Sequence, residues 1–229
     1  MRNILRRQMY AQQPLRGLQE AQLRALLPDL QRCAGDHALL VTAPGCPAPP
    51  ALPLLACWME LRVEGARYSG DLCAATHEQL PFIDDAFDVV WLRHALEILP
   101  QADEILHESI RVLAPGGTMV IAGVHPLSVW GPWLYWKTHD ARNALHLPLQ
   151  LSRTLRERGL DVLSTRRVGG FWPMAGRSGH AGVTPWGGGY VLLARKQHCL
   201  TTPLQVTETP IRVPAGSRLA PSARHSAAA

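Results

Sequence analysis

The segment from Leu80 to Gly123, LPFIDDAFDVVWLRHALEILPQADEILHESIRVLAPGGTMVIAG, sets the topology for the chain around it. Phe87 to Leu92 and Thr118 to Ala122 are short apolar runs rich in β-branched residues, which reads as two buried strands. Between them Ile105, Ile110, Val112 and Leu113 form an apolar stripe, while Asp103, Glu104, His107, Glu108 and Arg111 can face water, the pattern of one amphipathic helix. Asp103 and Glu104 fall in its first turn and Arg111 in its last, the order that complements the helix dipole. Ala114-Pro115-Gly116-Gly117 then stops it, because proline cannot continue a helix and glycine takes positive φ freely. Strand, helix and strand in this length make a parallel βαβ unit with a right-handed crossover.

The same residues carry a family resemblance. LPF, the acidic pair Asp84-Asp85, FDVV, LRHALEIL and RVLAPGG occur in the order of the central block of class I S-adenosylmethionine (SAM) dependent methyltransferases, and the segment resembles that block in its methyltransferase-11 form. The resemblance covers about a fifth of the chain directly. It implies an α/β fold, a Rossmann-like, seven-stranded and mostly parallel sheet with helices on both faces. It implies SAM as cofactor and a small-molecule methyl acceptor. Short pieces such as SVWG resemble a small bacterial subgroup of methyltransferase-like proteins.

At 229 residues, 47% hydrophobic and 18% charged, the chain has room for one full α/β domain. The expected organisation is a helical extension over residues 1–34, the α/β domain over 35–198 and a disordered tail over 199–229, where Pro, Thr, Arg, Ser and Ala leave little to bury. No apolar run approaches the roughly 18 residues of a membrane span, and the N-terminus lacks a secretory apolar core, so a cytoplasmic protein is expected. The net charge of +5 is spread without a dense Lys/Arg cluster, which leaves no nucleic-acid footprint. Five widely spaced cysteines without a C-x-x-C pair and ten histidines without ligand spacing point away from disulfides and metal.

Leu15 to Leu30 repeats leucines at helical spacing and predicts an N-terminal helix. Ala38 to Thr42 predicts the first strand, and Ala43 to Pro50 (APGCPAPP) the loop after it. In the family this strand ends in an acidic residue and a glycine-rich turn, because the cofactor must approach the backbone more closely than side chains allow. Here Val41 takes the place of the carboxylate, Ala43 and Pro47 stand where glycines are expected, and Gly45 alone remains. Pro44 and Pro47 also remove amide donors, so the following helix should be displaced or shortened.

Leu52 to Val63 reads as a short helix followed by a strand ending near Glu64, with Glu60 or Glu64 available to grip ribose hydroxyls, or simply exposed on a turn. A third strand is expected over Arg67 to Ala74. By resemblance the acceptor for the adenine amino group is Thr76, with His77 beside it, and Arg93 and His94 border cofactor and methyl acceptor after the fourth strand. His94 and His125 are the candidate general bases. Trp130 and Trp133, in an aromatic stretch after the fifth strand, are the candidate acceptor wall; the same stretch could be a lid or a docking surface for a protein. Leu147 to Arg158 predicts a helix capped at Gly159, and Asp161 to Arg167 and Gly189 to Arg195 the final, reversed strand pair.

Two functions follow. One is a SAM-dependent methyltransferase with a degenerate glycine loop, and the other a methyltransferase-like scaffold that has lost SAM and binds a protein partner through the Trp-rich segment. Methyl transfer from a sulfonium depends chiefly on positioning, so a missing base would not exclude activity, whereas a missing cofactor site would.

Overall fold

The computed structural model describes residues 9–99, 101–138, 145–173 and 183–197. Helix α1 spans Leu15–Leu30, and strands β1 (Gly35–Thr42), β2 (Leu55–Glu64), β3 (Arg67–Gly70), β4 (Ala74–Ala75) and β5 (Phe87–Arg93) follow. Helix α2 (Ala102–Val112), β6 (Leu113–Val124), α3 (Trp130–Thr138), α4 (Pro148–Glu157), β7 (Leu160–Val168) and β8 (Gly189–Lys196) complete the order. The sheet runs β4-β3-β2-β1-β5-β6-β8-β7. β1 pairs in parallel with β2 and β5, and β5 with β6, while β8 runs antiparallel to both β6 and β7. This is the expected α/β architecture with a parallel centre and a reversed strand near its end, in a mixed sheet of eight strands where seven were expected.

Strand alternation divides the core into two layers. Leu39, Val41, Val90, Leu92, Met119 and Ile121 point to one face, under Ile105 and Leu106 of α2 and Leu151 and Leu155 of α4. Leu40, Val89, Trp91, Val120, Val191 and Leu193 point to the other, under Leu26 and Leu30 of α1. Helix α1 therefore shares its core with the sheet. The tail expected over 199–229 lies outside the described residues.

Three local expectations are corrected. Leu52 to Val63 contains no helix: β2 begins at Leu55, and the connection from β1 is irregular backbone throughout. The cause is local, since Pro44, Pro47, Pro49, Pro50 and Pro53 remove amide donors and hold the residues before them extended. The third strand, expected to reach Ala74, stops at Gly70 and runs antiparallel to β2, with Leu61 opposite Gly70. Finally, α2 ends at Val112 and Leu113 is already extended, so Ala114-Pro115-Gly116-Gly117 lies inside β6, where Gly116 takes φ 78°.

Candidate functional site

Because β1 is flanked by β2 on one side and β5 on the other, the chain leaves the sheet in opposite directions at their carboxyl ends, where open α/β sheets bind ligands. Thr42 and Arg93 face each other across this point as register partners. The Arg93 Nε donates to the Thr42 hydroxyl at 3.1 Å, an Nη2–H bond reaches the Pro47 carbonyl, and the guanidinium carbon lies 5.1 Å from the Trp91 ring centroid. Arg93 is 3% exposed, and burial lowers its proton affinity against the opposing pull of Cys46 and Glu60. It still stays charged at neutral pH. Its cation thus rests on a hydroxyl, a carbonyl and a π-face, and no carboxylate among the described residues bonds to it.

Gly45 takes φ 86°, and the Cys46 amide donates to the Ala43 carbonyl at 3.4 Å, closing a turn through Pro44-Gly45. Proline before a left-handed glycine is the usual composition of such a turn. Val41 and Ala43 are fully buried in the core, and burial pushes the Cys46 thiol up, so it is a neutral thiol. Gln19 of α1 lies over it, with Nε2 3.3 Å from the sulfur. Glu60 pairs level with Leu40, inside the sheet, and accepts two bonds from Arg62 at 3.0 and 3.1 Å.

Immediately after β5, His94 adopts φ 54°, a conformation uncommon for a residue with a side chain and found where the surroundings enforce it. Its Nδ1 lies 3.2 Å from both Glu97 oxygens and its Nε2 2.9 Å from the Gln22 carbonyl oxygen. The Gln22 amide nitrogen is committed to the Gly123 carbonyl at 2.9 Å and the Tyr190 carbonyl at 3.3 Å. Both imidazole nitrogens therefore face acceptors, Nδ1 the Glu97 carboxylate and Nε2 the Gln22 carbonyl oxygen. Burial alone would raise the Glu97 carboxyl; the His94 charge and hydrogen bonds from His94, the Val124 amide and the Tyr10 hydroxyl outweigh it and hold the group below its ordinary value. The Tyr10 hydroxyl donates at 2.9 Å from a position 87 residues away.

Thr76 and His77 are brought together elsewhere. With Tyr68, Leu80, Ile105, Asp103 and Glu104 they line a cavity of about 360 Å³ between the 76–80 loop and the first turns of α2. Leu80 is fixed there, its amide donating to Glu108 at 3.0 Å.

His125 is buried beyond β6, its Nδ1 accepting the Leu127 amide at 3.2 Å and its ring edge-on to Tyr190. Burial, and then the charge of Arg167, lower its proton affinity, so the ring is neutral at pH 7 with its proton on Nε2. Trp130 is buried and donates from Nε1 to the Gly170 carbonyl at 2.9 Å; Trp133 packs edge-on against it, 5.9 Å between centroids. The site residues thus fall into separate groups: Val41, Ala43, Gly45 and Arg93 at the switch point, His94 just behind it, Thr76 and His77 in the cavity, and His125, Trp130 and Trp133 beyond β6. Among the described residues no group of three or more His, Cys, Asp or Glu side chains can hold a metal ion. No helix among them is long and apolar enough to cross a membrane.

Tyr10, Gln19 and Gln22 escape a sequence reading because each meets its partner only through tertiary packing. Glu97 had a local signal in the His94-Ala95-Leu96-Glu97 spacing, which sets the two side chains within reach.

Comparisons with known proteins bear on the fold and on its central segment. A family model described as a methyltransferase domain, of the methyltransferase-11 type, matches residues 56–121. Methyltransferase GfsG of Streptomyces halstedii is 41% identical over 66 residues, covering 28% of this chain and 23% of that protein. The chain spans less than a quarter of the length of the curated relatives it matches. Among solved structures, a methyltransferase in complex with the Haloferax volcanii Trm112 methyltransferase activator superposes with TM-score 0.52 at 16% identity, over 80% of this chain and 92% of that one. A protein from Listeria monocytogenes assigned as an S-adenosylmethionine dependent methyltransferase superposes with TM-score 0.50 at 13% identity, over 80% of this chain and all of that one. The chain has the class I methyltransferase fold. Its central segment is of the methyltransferase-11 type.

Proposed function

We propose that this chain is a SAM-dependent methyltransferase domain acting on a small apolar or aromatic acceptor. The observation that carries the reading is the cavity holding Thr76 and His77 beside α2, in a fold whose switch point carries the Arg93 cation. The donor set suits the cofactor in two places. Thr76, Asp103 and Glu104 offer oxygen acceptors to an adenine amino group between the apolar walls of Leu80 and Ile105, and Arg93 offers charge to an amino-acid carboxylate near the Gly45 turn. Glu60 retains carboxylate lone pairs for ribose hydroxyls once it turns from Arg62. The amide cradle of a glycine-rich loop is what the chain lacks.

SAM, when bound, supplies an electrophilic methyl group on sulfur. The protein's part is placement. His94, with both nitrogens engaged, holds Glu97 and Gln22 in position and leaves neither nitrogen facing a methyl acceptor. His125, neutral with Nε2 protonated, can donate to an acceptor oxygen; Trp130 fixes the segment and Trp133 supplies apolar wall. No strong base is required of either histidine, because the sulfonium is already activated.

One observation favours the second reading, a scaffold without SAM. The connection from β1 to β2 has no helix, and hence no helix N-terminus aimed at the cofactor position. Calorimetric titration with SAM and S-adenosylhomocysteine separates the two. Micromolar binding that is lost in Thr76→Trp, with an unchanged melting temperature, supports the methyltransferase. Absence of heat at high concentrations of both would leave the scaffold.

A further inference from the structure

Helix α3 is apolar on both sides. Trp130 and Leu134 anchor it in the core, yet its outward face carries Tyr135 and Trp136, 61% and 63% exposed. An outward helical face is normally polar. Beside it, Phe171 and Trp172 meet edge-on at 5.5 Å, and both are exposed, as are Val183 and Trp186. The segments that carry these side chains are neighbours in the fold: Trp130 bonds Gly170, the Gly188 amide donates to the Gly170 carbonyl at 3.2 Å, and Val168 bridges Val183. Surfaces of this kind are uncommon on proteins that meet only water.

Among the described residues the uncompensated charge on this surface is positive. Residues 123–138, 165–173 and 183–190 contain no Asp or Glu, but contain Lys137, Arg166 and Arg167. Arg166 is paired with Asp29, whereas Arg167 donates to the Gly187 carbonyl. The Lys137 ammonium lies 5.2 Å from the Trp136 ring centroid, an aromatic body and a cation side by side at the protein edge. Tryptophan and tyrosine with lysine is the composition that settles at the headgroup level of a bilayer, the rings below and the ammonium at the phosphates. A protein interface would share the aromatic residues but is typically depleted in lysine.

We infer that the aromatic face formed by α3 and the loops at 169–173 and 183–188 docks on the surface of an anionic phospholipid bilayer. The face lies at the carboxyl end of β6, so docking would set the open end of the sheet toward the lipid. The inference stands apart from methyl transfer, since docking requires no cofactor.

The test is sedimentation of the full chain with vesicles of phosphatidylcholine alone or mixed equally with phosphatidylglycerol, at low and high salt. The expected result is binding to the mixed vesicles, weakened by salt. It should fall about tenfold or more in Trp136→Ser/Trp172→Ser and also in Lys137→Glu, with melting temperatures unchanged. No binding to the mixed vesicles at low salt overturns the inference. Equal binding by the double variant overturns it as well, by moving the contact to basic residues elsewhere. So does concentration-dependent self-association abolished by the double variant, which would make the face a protein interface.

Discussion

Glu97 lies three positions after His94, and the two side chains meet almost wholly removed from water, with Nδ1 3.2 Å from each carboxylate oxygen. Removing one partner of such a pair strands the other charge in the core. Glu97→Gln is therefore expected to destabilise the protein by about 3–5 kcal/mol in denaturant unfolding. A neutral cost would show that the imidazolium is not the buried species.

The same pair sets an acid limit. The Glu97 carboxyl sits below its ordinary value of 4.5 in the folded chain, so its contribution is complete above that value and is lost as pH falls through the lower, folded one. Melting temperature followed against pH should drop on this acid side for the parent protein. The Glu97→Gln variant should show a flatter acid limb.

His125 makes a separate prediction. Its folded proton affinity lies below the ordinary value of 6.5, so the unfolded chain binds more protons as pH falls through 6.5, and stability declines there. Nuclear magnetic resonance of the imidazole should give a midpoint under 6.5. Because burial is the larger cause and Arg167 the smaller, Arg167→Gln should move the midpoint upward only part of the way.

Arg93 holds the connection between β1 and β2 by its bonds to Thr42 and Pro47. Arg93→Lys keeps the charge and loses the planar fork, and should cost about 1.5–3 kcal/mol, the range for hydrogen bonds to charged groups. A double-mutant cycle with Thr42→Val would measure their coupling. Additive effects would mean that the Thr42 bond contributes nothing of its own.

A Cβ added at Gly188 would fall inside the van der Waals envelope of the Trp130 indole. Gly188→Ala should therefore displace Trp130 from the Gly170 carbonyl and destabilise by about 1–3 kcal/mol. Loss of near-ultraviolet circular dichroism from the tryptophans would report the displacement.

What was legible in the sequence follows the range of the forces involved. The βαβ unit around FDVV and TMVIA could be read because strand burial and helix amphipathicity leave a local period, and the final strand pair likewise. The helix expected after Leu52 failed because five prolines outweighed an apolar pattern that suits either state. The turn back at Gly65, which takes φ 69°, was hidden because a tight hairpin and a longer parallel connection use the same glycine. In the site, the depletion of glycine around Gly45 was plain from composition, while the bonds from Tyr10 and Gln22 to the His94-Glu97 pair depend on packing that no nearby residue signals.

The connection over residues 43–54 has no internal ladder of hydrogen bonds, yet it must return the chain to the start of a parallel strand. Its prolines act on the denatured ensemble: each removes backbone freedom that the chain would otherwise surrender on closing the crossover. Trp58 and Arg93 then hold it from outside, through the carbonyls of Pro50 and Pro47. A segment so made is restricted before folding begins, and rigidity that a helix would supply by cooperativity is written here into the covalent ring of proline.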